Sequence, residues 1–174
     1  MKKLTGCIVL LMILIPLSGC GISSDSDKHH SFKCATGQCR IKVPSSWSIQ
    51  SDLNKSADLQ VANRDQRVYL IILSESKEDL ADMTLKKHSR LTRSNIVKPL
   101  KQSEVNKEKS FTIDGMPALQ HKIRGQKGTM NLIYLHTSVK GPENYHQILG
   151  WTLPSKWERN QSILNEVINS FEVK

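Results

Sequence analysis

The chain has 174 residues and a formal net charge of +9. That length holds one domain, and the absence of internal repeats, low-complexity tracts and composition breaks excludes a repeat array or a second domain. The basic balance would suit an anionic partner, but it names none.

Lys2 and Lys3 open the chain as a short positive region, and an apolar run from Cys7 to Leu17 follows. The run is too short for a spanning helix, which takes about 20 apolar residues. It has the length of a signal-peptide core. Leu17-Ser18-Gly19-Cys20 then reads as a lipobox. The segment resembles bacterial lipoprotein signal peptides. That resemblance implies a diacylglycerol on the Cys20 thiol, cleavage before Cys20, and acylation, with palmitate for example, of the new amino group. A buried methylene is worth about 0.8 kcal/mol, so two or three chains give lasting attachment to a membrane. The competing reading is a secreted protein, or an uncleaved anchor, with a chance cysteine. Residues 1–19 are therefore set aside, and with Lys2 and Lys3 gone the formal charge falls from +9 to +7. Gly21 and Ile22 follow the cysteine, with no aspartate there. Resemblance to Gram-negative lipoproteins then favours the outer membrane, facing the periplasm.

Residues 20–31 read as the lipidated cysteine and a polar tether with little to bury. Asp25, Asp27, His29 and His30 lie in it, but an unsupported segment has no second shell to orient metal ligands, so no metal is expected. Cys34 and Cys39 remain in an oxidising compartment and are expected to form a disulfide. Phe32–Cys34 and Cys39–Val43 look like two strands around a four-residue turn, which sets the cysteines directly opposite each other, within bridging distance. A redox or metal pair would need Cys-x-x-Cys spacing or further ligands, and both are missing.

Next come strands at 57–63 and 67–73, the second apolar on both faces and so central. A helix is expected from about Asp82, as N-cap, to about Ile96, with Pro99 beyond it. Ser110–Ile113 is a strand ending in an Asp114-Gly115 turn. Strands follow at 117–124, 129–139 and 144–151, with turns at 125–128 and 140–143. Ser155 and Glu158 match a capping box for a last helix. Trp157, Leu164, Val167, Ile168 and Phe171 line one face of it. The fold class is α+β, an antiparallel β-sheet with helices packed on it, as one domain over 32–174.

Val43-Pro44-x-x-Trp47, Asp114-Gly115-x-Pro117-Ala118 and Ile163-Leu164-x-x-Val167-Ile168-x-Ser170-Phe171 resemble the PsbP-like, or DcrB-like, family. A photosystem II extrinsic subunit, a Ran-binding import factor and small envelope lipoproteins share that fold. The resemblance spans residues 32–172 and rests on turn and core residues. It implies the fold and a binding or assembly role, with no catalytic residue to carry over. The Cys34–Cys39 hairpin is not part of the shared pattern.

No stretch forms a catalytic motif. There is no Gly-x-Ser-x-Gly elbow, no phosphate-cradling glycine loop and no calcium loop. If Gly125 pairs with Gly128, His121 and His136 share a face roughly 13 Å apart. If Val139 pairs with Asn144, His146 lies on the opposite face. These three and His88 then read as partly buried structural histidines, and no metal or other cofactor is expected. Trp47, Trp151 and Trp157 read as core.

The leading function is a membrane-anchored periplasmic lipoprotein, a non-catalytic binding or support factor in the cell envelope. The alternative is an envelope hydrolase or cell-wall-modifying enzyme with an unrecognised site. Nucleic acid fits the charge but not the compartment. Lys86, Arg90 and Arg93 recur at i, i+4 and i+7 on one helix face, flanked by Lys87, Lys98 and Lys101. They are either a solvated face or the contact for an envelope protein or anionic lipid surface. Leu85, His88 and Thr92 would pack on the sheet.

Overall fold

The structure is a computed structural model and describes residues 29–174. The expected signal peptide, Cys20 and the tether up to residue 28 lie outside the described residues. Three strands, β1 (His29–Lys33), β2 (Cys39–Pro44) and β11 (Glu172–Val173), form a small antiparallel sheet in the order β1-β2-β11. The tether was expected to run to residue 31, but His29, His30 and Ser31 already pair with Pro44, Val43 and Lys42.

The main sheet runs β3 (Ser48–Ile49), β4 (Leu59–Asn63), β5 (Val68–Ser76), β10 (Asn144–Thr152), β9 (Met130–Lys140), β8 (Met116–Lys127), β6 (Lys101–Val105). The short β7 (Lys109–Ile113) also pairs with β8, so two short strands lie end to end along one long one. One helix, α1 (Leu85–Val97), packs over β8, β9 and β10. The other, α2 (Trp157–Asn169), packs against β10, β9 and β2. No helix among the described residues is long and apolar enough to cross a membrane.

Alternation along the central strands divides the main sheet into two faces. Leu70 and Ile72 of β5, Ile148 of β10, and Ile133, Leu135 and Val139 of β9 point to one side. They join Leu164, Val167, Ile168 and Phe171 in the main core. The apolar stripe of α2 is thus buried as its spacing required. Gly150 makes this possible: a Cβ there would sit 2.7 Å from Leu164 Cδ2. Cys34 and Cys39 are disulfide-bonded, with Cα atoms 5.2 Å apart, and both are buried in the same core.

Several local expectations are corrected. Thr84, not Asp82, caps α1: its extended backbone lets Oγ1 accept from Lys87 N at 3.2 Å, whereas Asp82 has φ 55°. The capping box at Ser155 is not made. Pro154–Lys156 forms a turn of 3₁₀ helix, α2 starts only at Trp157, and Glu158 accepts from Gln161 instead. Gly125 is no turn residue. It pairs with Leu132 inside the ladder, and a Cβ there would sit 3.0 Å from Leu100 Cδ1. The chain turns at Gly128, with φ 62°, and Lys127 pairs with Met130.

Candidate functional site

That later turn shifts the β8–β9 register by four residues relative to the expected one. The faces are unchanged, but His121 now lies directly opposite His136. Their rings are 6.3 Å apart centre to centre, not roughly 13 Å. His146 does fall on the opposite face, beside Val139.

His88, His121, His136 and His146 are buried, and each is bonded across elements. His88 of α1 donates to Glu75 Oε2 of β5 at 3.0 Å, and its ring stacks on Tyr145 at 5.0 Å. His136 Nε2 lies 2.8 Å from Thr92 Oγ1 of α1, which itself donates to the His88 carbonyl. Arg93 Nη1 of α1 contacts both Nε2 and Nδ1 of His121, and Nδ1 also lies 3.3 Å from the Asn106 carbonyl. Glu108 Oε2 is 3.2 Å from the same Nε2. His88, His121 and His136 thus form a polar layer that fixes α1 to the sheet.

Two rings of this layer, His136 and His88, are held below the usual histidine range. Burial, then His121, His88 and Arg93, push His136 down to about 3. Burial also lowers His88, against the pull of Glu75. On the other face burial pushes His146 down to about 4, against the pull of Asp58. Its Nδ1 lies 2.9 Å from Ser74 Oγ, and its ring meets the Phe171 ring at 5.1 Å. A serine–histidine contact could suggest a nucleophile. Neither residue lines any cleft described below, so a substrate has no approach to it there. Among the described residues no three His, Cys, Asp or Glu side chains are grouped to hold a metal ion.

Two clefts flank α1 where it meets the sheet, and a third depression of about 510 Å³ lies on its outer face, lined by Asp82, Lys87, Arg90 and Leu91 among others. On the β5 side the helix leaves part of the sheet uncovered. Two adjoining depressions, about 220 and 350 Å³ in volume, lie there. Their floor carries a cross-strand aromatic row: Tyr69 stacks on Trp151 at 5.4 Å, and Tyr134 meets Trp151 at 6.4 Å. Trp151 was expected in the core with Trp47 and Trp157. Those two are buried, whereas Trp151 is half-buried in this groove. Burial raises the Tyr134 hydroxyl above the usual tyrosine range. Sequence reading missed the groove because α1 hides less of the sheet than the helix length suggests.

On the β8 side, Thr84, Lys86, Lys87, Arg90, Arg93 and Glu108 line a cleft of about 270 Å³. The three cations singled out by spacing therefore do meet in one place. They are not equivalent. Lys86 and Arg90 are exposed, while Arg93 is half-buried and tied to His121. Leu85 and the buried His88 and Thr92 face the sheet as expected, and Ser89 joins them.

No family model matches the sequence, and no curated protein matches it. Solved structures do match the fold. A cyanobacterial PsbP from Synechocystis superposes with a TM-score of 0.62 at 16% identity, covering 91% of this chain and 99% of that one. The Ran-binding protein Mog1p of Saccharomyces cerevisiae gives 0.61 at 12%, covering 84% and 95%. LpqN, involved in cell envelope biogenesis of Mycobacterium tuberculosis, gives 0.57 at 11%, covering 84% and 91%. At these identities the likeness is one of fold. The chain has the PsbP-like α+β fold that its turn and core motifs implied.

Proposed function

We propose that the chain is a lipid-anchored envelope lipoprotein that acts by binding another envelope component, without catalysis. One observation carries this reading. The buried histidines each use a ring nitrogen in fixing α1 or β10 and line none of the clefts beside α1, which are the open surfaces. A fold built this way presents a shaped surface on a rigid frame. The lipobox at Leu17–Cys20 supports anchoring, and its flanking sequence supports the outer membrane facing the periplasm. The likeness to an envelope-biogenesis protein supports the cell-envelope setting.

The test is crosslinking in living cells. A photo-reactive residue replaces exposed Met130, at the groove, in the lipidated chain, and a control places it at exposed Glu158 on α2. The reading expects one recurrent envelope adduct from the groove position and none from the control. Equal, diffuse labelling from both positions contradicts it. Hydrolysis of envelope polymer by the purified chain, lost on changing His146, would replace binding with catalysis.

A further inference from the structure

Residues 82–103 carry six cations, Lys86, Lys87, Arg90, Arg93, Lys98 and Lys101, against one carboxylate, Asp82, which lines a depression with Lys87, Arg90 and Leu91. On α1 this charge is placed against the helix dipole. Lys86 and Lys87 occupy the first turn, where an acid would be favourable, and there is no acid in that turn and no base in the last. Lys86 and Arg90, four apart, also repel each other. Neither makes a side-chain hydrogen bond or ion pair among the described residues. Lys87 reaches only a neutral acceptor, the Asp82 carbonyl, at 3.0 Å. Glu108 is the one carboxylate lining the cleft, and it faces His121. Beside these cations Leu91 is 48% exposed on the outward side of the same helix. Local rules broken without an internal compensation mark a functional surface.

We infer that this face of α1 lies on an anionic lipid surface. The inference rests on the lipid-anchored reading above. That reading holds the domain permanently beside lipid, so weak attraction acts at high effective concentration. Eight residues lie between Cys20 and His29, a reach of roughly 30 Å when extended. A domain of this size is about 40 Å across. Among the orientations within that reach, attraction between the basic residues and anionic headgroups favours the α1 face. Arg93, held by buried His121, is the fixed cation at the cleft, and Lys86 and Arg90 are free to meet phosphates on either side of it. Leu91 adds an apolar contact, as in helices that lie in the membrane interface.

The experiment uses the acylated full chain in vesicles of phosphatidylcholine, with or without phosphatidylglycerol, and reads hydrogen exchange of α1 amides. Phosphatidylglycerol should slow exchange over residues 85–93 by at least about fivefold, the effect of a single basic residue contributing about 1 kcal/mol near an anionic surface. The effect should vanish in about 1 M salt, where screening acts within about 3 Å. It should also vanish in the double variant Lys86→Gln, Arg90→Gln. The variant Lys156→Gln, Arg159→Gln removes the same charge near the start of α2 and should keep it. Equal exchange in both vesicle types, or full protection in the first double variant, overturns the inference. A chain that fails to enter phosphatidylcholine vesicles at all contradicts the anchor instead. The same chain then tests the α1 face directly, by whether it floats with phosphatidylglycerol vesicles at low salt.

Discussion

His136 and His146 are fully buried and held neutral, pushed down to about 3 and about 4. In the unfolded chain each would titrate near its ordinary value of about 6.5. The unfolded state therefore binds more protons at mildly acid pH. The stability these neutral rings contribute is complete above about pH 6.5 and is lost progressively as pH falls from there toward 4 and 3. Over the 1.5 units between pH 6.5 and 5, this amounts to roughly 2 kcal/mol per histidine. Thermal melts at pH 7 and pH 5 should show a clear fall in Tm. His136→Asn should flatten that fall even where it lowers Tm at neutral pH. An unchanged pH dependence in that variant would mean that His136 is not held neutral. The sequence showed that these residues were histidines on strands. It did not show their partners, because Thr92 and Arg93 approach from a helix far along the chain.

Caps separate what was legible in the elements from what was not. Thr84→Ala should destabilise the protein by about 1 kcal/mol, because it removes the acceptor of Lys87 N. Ser155→Ala should change stability by less than about 0.5 kcal/mol, because the side chain caps nothing. Urea unfolding of the two variants measures both, and the opposite order would return the cap of α2 to Ser155. The spacing of the α2 stripe, the Asp114-Gly115 turn and the Cys34–Cys39 hairpin were readable because each is a local rule. Asp82 and Ser155 misled because the preferred residue type was present while the backbone before the helix went elsewhere. Gly125 misled for a related reason: a glycine kept for the close approach of Leu100 looks in sequence like a glycine kept for a turn. Missing that one distinction moved the register and separated two histidines that lie directly opposite each other. The strands β6 and β11 were missed because they are short and polar, and take their place from their neighbours.

At the scale of the whole molecule the two faces of the sheet have different work. One is closed by α2 and the small sheet into a continuous apolar core. The other carries α1 on a polar layer, with an aromatic groove on one flank and a basic cleft on the other. Both clefts matter to a binding protein only if the domain is held where its partners are, so the account turns on Cys20. The direct measurement is mass spectrometry of the chain's N-terminal peptide, with fractionation of cells lysed without detergent. The mature chain should begin at Cys20, carry diacylglycerol on its thiol and an acyl group on its amine, and sediment with membranes. Cys20→Ala should carry no lipid and leave the membrane fraction. A chain beginning elsewhere with a free Cys20 thiol, or a Cys20→Ala protein that stays with the membranes, would contradict the account.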